Sequence, residues 1–136
     1  MKIISKSEKD TFKIAKDLTS KLKGGEVLCL IGDLGSGKTA FTKGIAKALK
    51  IKNTITSPTF VLMKVYLGDK QLVHIDAYRL RSGNDLEAIG ALDYFDDPDT
   101  ITVIEWAEKV KDIWPKNRKV IEFKVKSENQ REIKIK

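Results

Sequence analysis

The sequence has no apolar run of membrane-spanning length, and its first seven residues lack the apolar core of a signal peptide. These absences predict a soluble, unexported protein that works in the cytoplasm without a membrane partner. A single cysteine, Cys29, excludes an internal disulfide, and its place in an apolar run assigns the thiol to packing in a reducing compartment. A single histidine, His74, suits a structural or supporting role better than a catalytic one. The chain shows no internal repeat, low-complexity tract or flexible linker, so its 136 residues predict one compact domain over 1–136. Arginine is scarce, since 22 of the 26 basic residues are lysine. No Asn-Lys-x-Asp run is present to read a guanine base.

Against these absences stands one dense motif. Gly32-Asp33-Leu34-Gly35-Ser36-Gly37-Lys38-Thr39 fits G-x-x-x-x-G-K-[ST], the pattern of a loop that wraps phosphates. Gly32, Gly35 and Gly37 fall where a Cβ would collide or where φ must be positive. Loop amides and the following helix N-terminus then converge on anionic oxygens. In this pattern Lys38 bridges the β- and γ-phosphates of a nucleoside triphosphate, and the Thr39 hydroxyl ligates Mg²⁺. Asp33, Leu34, Gly35, Ser36, Gly37, Lys38, Thr39 and Ala40 are therefore candidate nucleotide contacts. The pattern alone would arise by chance in about one of a hundred such sequences, so context decides. Val27-Leu28-Cys29-Leu30-Ile31 before it reads as a strand buried on both faces, and Phe41, Ile45, Ala46 and Leu49 after it follow helical spacing.

Elsewhere, Ser7 and Asp10 predict a helix start, continued by Phe12, Ile14, Ala15, Leu18 and Leu22 and ended by Gly24-Gly25. Residues 54–59 read as an ordered polar loop with a proline. Residues 60–66 and 71–76 flank a four-residue turn and predict a β-hairpin. Residues 84–92 predict a short helix, 101–104 a buried strand, and 120–125 with 133–135 a C-terminal hairpin. Strand–helix units mixed with hairpins predict an α/β fold: a mixed sheet with a parallel centre and antiparallel hairpin additions, flanked by helices in a three-layer sandwich.

A phosphate loop needs a carboxylate to hold Mg²⁺, at the C-terminal end of a neighbouring strand. Asp76 ends Leu72-Val73-His74-Ile75, and Glu105 ends Ile101-Thr102-Val103-Ile104. Either can ligate the ion or orient an attacking water, and the sequence leaves the roles open. Lys38, Asp76 and Glu105 are the candidate catalytic residues, and Thr39, Asp76 and Glu105 the candidate Mg²⁺ ligands. Arg79 and Arg81 are candidate phosphate contacts. Charge is unevenly spread: residues 76–108 carry nine acids against two bases, and 109–136 ten bases against four acids. That asymmetry fits an interface with protein or RNA, or a solvated lysine-rich surface.

The blocks at 32–39, Thr-Ser-Pro-Thr-Phe at 56–60, His-Ile-Asp-Ala-Tyr-Arg-Leu at 74–80 and Ile-Glu-Trp at 104–106 together resemble the TsaE (YjeE) family, bacterial P-loop ATPases of tRNA threonylcarbamoyladenosine biosynthesis. Ala107 stands where proline is common after Glu-Trp, and Asp93 where glutamate is usual; both leave the chemistry intact. The resemblance implies a P-loop NTPase-like fold, ATP and ADP as ligands with Mg²⁺, and a TsaB–TsaD complex as partner, with tRNA reached through that complex. It implies that the chain does not itself transfer the threonylcarbamoyl group. It places Thr59 in a switch loop that senses the γ-phosphate, and Trp106 and Arg131 among the cofactor-binding residues. Two other readings compete: a small-molecule kinase, which lacks an arginine-rich lid here, and a nucleotide sensor or RNA-binding module that does not hydrolyse.

Overall fold

The sheet is built from short strands whose side chains alternate between two covered faces. In chain order the elements are β1 (Lys2–Ser5), α1 (Glu8–Thr19), β2 (Val27–Ile31), α2 (Lys38–Ala48), β3 (Met63–Tyr66), β4 (Gln71–Asp76), α3 (Asn84–Ala88), β5 (Thr100–Glu105), β6 (Arg118–Val125) and β7 (Arg131–Ile135). Short 3₁₀ segments span Ala91–Tyr94 and Ala107–Ile113. The structure, a computed structural model, describes residues 1–58 and 61–136. Among the described residues one sheet has the order β1-β7-β6-β2-β5-β4-β3. Its centre, β6-β2-β5-β4, is parallel. Antiparallel pairs extend it at both edges, β3 on β4 at one and β7 on β6 with β1 on β7 at the other. The expected α/β architecture is thus the observed one.

β2 shows why the centre is apolar throughout. Leu28 and Leu30 face α1 and α2, packing with Ala15, Phe41, Ile45, Leu72, Val103 and Ile121. Val27 and Cys29 face the opposite layer, with Val73, Ile75, Leu86, Ile104 and Val110. Each fully buried Leu or Ile stabilises the fold by about 1.5–3 kcal/mol. Burial pushes the Cys29 thiol pKa up to about 12, so it stays protonated and inert at neutral pH. The Phe123 ring meets Phe41 edge-on at 5.4 Å, fastening β6 to α2, the helix that follows the glycine-rich loop. Helices α1 and α2 approach closely because Gly44 has no side chain: a Cβ there would lie 2.7 Å from that of Ala15.

The start of α1 matches its sequence signal. The Ser7 hydroxyl accepts from the Asp10 N–H at 3.0 Å, and the Asp10 carboxylate accepts from the Lys6 N–H at 2.9 Å. Other elements depart from expectation. β1 carries no local signal beyond two isoleucines, and forms because β7, more than a hundred residues away, offers an edge. The helix expected over 84–92 divides: Gly90, at φ 80°, breaks it into α3 and the 3₁₀ segment. The first hairpin begins at Met63, and the start expected at Phe60 lies outside the described residues. Among the described residues no helix is long and apolar enough to cross a membrane.

Glu26 closes the turn between α1 and β2. Its two carboxylate oxygens accept from the Lys23 N–H at 2.9 Å and the Gly24 N–H at 2.7 Å. Burial opposes its ionisation, but these backbone donors outweigh it and hold the pKa below the ordinary 4.5. A lowered folded-state pKa means the stabilisation is complete above the unfolded value and is lost as the pH falls through the folded one. Glu26→Ala is expected to cost about 1–3 kcal/mol at pH 7, since it orphans both donors. Urea titrations should show the gap between variant and wild type narrowing below pH 4.5, where both remain folded. A gap independent of pH would separate the loss from the carboxylate's charge.

Candidate functional site

The loop at residues 32–37 leaves β2 and turns into α2 through Gly37, which has φ 108° and serves as N-cap. No side chain caps α2, so the first helical amides stay directed at the space above the loop. The loop is compact: the Ser36 N–H donates to the Asp33 carbonyl at 3.1 Å, and a Cβ at position 32 would lie 2.6 Å from the Ser36 hydroxyl. That hydroxyl is buried without a hydrogen-bond partner among the described residues. The loop thus presents what a phosphate requires: a glycine cradle, free amides and an unsatisfied hydroxyl.

Lys38 folds back over this cradle. Its ammonium donates to the carbonyls of Gly32 and Asp33, the latter at 3.0 Å, and lies 4.0 Å from the centroid of the Trp106 ring. Burial lowers its pKa from the ordinary 10.5, while Glu105, Glu108, Asp33 and Asp76 work in the opposite direction. Trp106 reaches this position because the chain leaves β5 with a left-handed backbone at Trp106, φ 57°. Few non-glycine residues adopt that conformation, and here it turns the ring across the lysine. Tyr78 packs against the same indole at 4.9 Å.

The two carboxylates named from sequence end adjacent parallel strands and are directly paired in register, Asp76 with Glu105. They are not equivalent. The Thr39 hydroxyl donates to Glu105 Oε1 at 3.2 Å, while Glu105 Oε2 meets His74 Nε2 at 2.5 Å. Asp76 accepts from the Ser57 hydroxyl at 3.3 Å and from the Tyr78 N–H at 2.9 Å. Both carboxylates are buried. Among the described residues no group of three or more His, Cys, Asp or Glu could hold a metal alone. A hydroxyl with one or two carboxylates instead suits Mg²⁺, which keeps water and takes phosphate oxygens as further ligands.

A cavity of about 470 Å³ unites these groups, lined by residues 34–40, Ser57, Asp76, Tyr78, Glu105 and Trp106. Of the residues expected from sequence, Leu34, Gly35, Ser36, Gly37, Lys38, Thr39, Ala40, Asp76, Glu105 and Trp106 therefore converge. Asp33 contributes its carbonyl to the loop and exposes its side chain. Thr59 lies outside the described residues. Arg79 and Arg81 are exposed and do not line the cavity. The Arg131 guanidinium donates to the carbonyls of Ser127, Glu128 and Gln130, and across to that of Gly35 at 3.3 Å. It ties the β6–β7 turn to the outside of the loop, and borders a second cavity of about 220 Å³ with Ser7, Thr11, Gly35, Gly37 and Ala40. Sequence reasoning missed Tyr78; its one signal was the position two residues beyond Asp76.

The family model described as threonylcarbamoyl adenosine biosynthesis protein TsaE matches residues 5–133. The chain is 42% identical to the tRNA threonylcarbamoyladenosine biosynthesis protein TsaE of Aquifex aeolicus, covering 98% of this chain and 93% of the relative. It is 39% identical to the protein of that name from Treponema pallidum, with 99% of each covered. The crystal structure of Bacillus subtilis YdiB is similar at a TM-score of 0.81 and 34% identity, covering 98% of this chain and 82% of that one.

Proposed function

The chain belongs to the TsaE family of tRNA threonylcarbamoyladenosine biosynthesis proteins, and from that premise we propose that it binds and hydrolyses ATP with Mg²⁺ as an accessory to the modification. In this reading it acts with the TsaB–TsaD complex, reaches tRNA through that complex, and does not itself transfer the threonylcarbamoyl group. One observation carries the proposal: the hydroxyl of Thr39 and the carboxylates of Glu105 and Asp76 meet in the cavity that the phosphate loop floors.

The roles follow from position. Loop amides and Lys38 hold the β- and γ-phosphates, and the Ser36 hydroxyl gains the partner it lacks. Thr39 and Glu105, already in contact, hold Mg²⁺, which when bound neutralises charge developing on the phosphate oxygens. Asp76 sits one strand further out, beside Ser57 of the loop before β3, and orients the attacking water. Trp106 and Tyr78 wall the site and limit solvent around Lys38. The second cavity shares Gly35, Gly37 and Ala40 with the first, so the nucleoside can extend into it across the N-terminus of α2. Arg131 borders that end of the ligand.

Lys38 is the sole cationic side chain among the described residues lining the main cavity, and no arginine does so. One cation against a triphosphate and two carboxylates predicts slow hydrolysis by the isolated chain, because transition-state charge lacks an arginine donor. The test is ATP turnover by the purified protein with and without TsaB–TsaD and tRNA. Stimulation of at least about tenfold that requires those partners is expected, a threshold well below the roughly 10³–10⁵-fold that an added arginine can supply. Fast turnover by the chain alone would refute partner dependence, and absence of turnover in every mixture would refute the ATPase reading.

A further inference from the structure

His74 lies on β4 with no exposed surface, on the sheet face it shares with Leu72 and Asp76. Its register partner on β5 is Val103, so its ring reaches the next side chain on that face, Glu105. The 2.5 Å contact between His74 Nε2 and Glu105 Oε2 is the ring's one hydrogen bond among the described residues, because Nδ1 is buried without a partner. That asymmetry assigns the proton. A hydrogen on Nδ1 would be a buried donor with no acceptor, whereas a hydrogen on Nε2 has a carboxylate directly before it.

We infer that His74 is a positioning residue: its Nε2–H pins one oxygen of Glu105 so that the other stays directed at the Thr39 hydroxyl and the Mg²⁺ held there. The inference rests on the reading of Glu105 as a Mg²⁺ ligand. A glutamate has three rotatable side-chain bonds, and without the His74 bond its carboxylate would be held by the Thr39 hydroxyl alone, leaving other rotamers within reach. Pinning removes that freedom before the ion arrives, as hydrogen bonds to ligating carboxylates do in metal sites generally. The surroundings argue the same way. Leu72, Ile101 and Val103 fill this face of the sheet beneath the site, where an apolar side chain would pack without leaving a nitrogen unsatisfied. The histidine is explained by what it holds.

Turnover is to be measured with the partner complex present, across a Mg²⁺ titration, for wild type, His74→Leu, His74→Gln and Glu105→Gln; ADP affinity in chelator is measured alongside. His74→Leu should raise the Mg²⁺ concentration for half-maximal turnover about 10–100-fold, the usual effect of losing such a support, and leave metal-free ADP affinity unchanged. His74→Gln, whose amide donates from nearly the same point, should recover most of that loss. Wild-type Mg²⁺ dependence in His74→Leu, or a glutamine variant no better than the leucine one, would overturn the inference. If Glu105→Gln itself leaves the Mg²⁺ response unchanged, it is the Glu105 assignment that falls. A readout that needs no variant is the ¹⁵N spectrum of the ring, unambiguous because the chain has one histidine. A proton on Nε2 is expected, and a ring carrying its only proton on Nδ1 would overturn the inference.

Discussion

Lys38→Ala is expected to weaken ATP binding by about 10–150-fold, the scale of losing a charge-assisted hydrogen bond to phosphate. The ammonium is held over the loop by two carbonyls and the Trp106 ring, so its position is set before any ligand arrives. Without it the cavity retains Asp76 and Glu105 as its charged groups among the described residues, and a triphosphate would enter a field of its own sign. The fold should survive. Gly32 and Gly37 shape the loop, and the Ser36 N–H bond to the Asp33 carbonyl, which the ammonium also contacts, does not need the lysine side chain to form. Calorimetric titration with ATP and ADP, next to a melting curve for the variant, measures both effects. Unchanged nucleotide affinity in a folded Lys38→Ala protein would show that the phosphates lie elsewhere.

Glu105→Gln and Asp76→Asn should each lower partner-stimulated hydrolysis by about 100-fold or more while changing nucleotide affinity only a few-fold. The two are expected to fail differently. Glu105 touches Thr39, so its amide variant should demand more Mg²⁺ for whatever turnover remains. Asp76 is bound to Ser57 and to the Tyr78 amide, so its variant should lose rate at saturating Mg²⁺ with little change in the metal requirement. Steady-state rates across a Mg²⁺ series separate these outcomes. Full activity in both variants with partners present would remove both carboxylates from the mechanism. Reversed Mg²⁺ behaviour would exchange their roles.

Much of this site was legible because its parts are local. The glycines, Lys38 and Thr39 are consecutive, and the apolar run before them and the helical spacing after them reveal a strand and a helix without tertiary information. Strand ends were equally plain, since Asp76 and Glu105 each close an apolar run, and both indeed close strands. The illegible parts depend on who neighbours whom. Sequence left Asp76 and Glu105 interchangeable. They differ because β5 lies beside β2 and β4 lies beyond β5, which brings Glu105 to Thr39. Tyr78 was passed over because its ring matters only where Trp106 turns to meet it. The guanidinium of Arg131 is largely engaged by carbonyls, a fact hidden in a hairpin turn that gives no chemical signal. β1 went unseen since nothing near it in the chain requires a strand.

The sequence by itself therefore determined the glycine-rich loop between strand and helix, the burial of β2 on both faces, the cap of α1 and the family, all properties of neighbouring residues. The tertiary structure alone decided which carboxylate faces Thr39, what His74 holds and what Arg131 grips. Those contacts join residues 66, 31 and 96 positions apart. Contacts at such separations are set by strand order and register, which many sequences with the same local pattern would leave free until the whole sheet is packed.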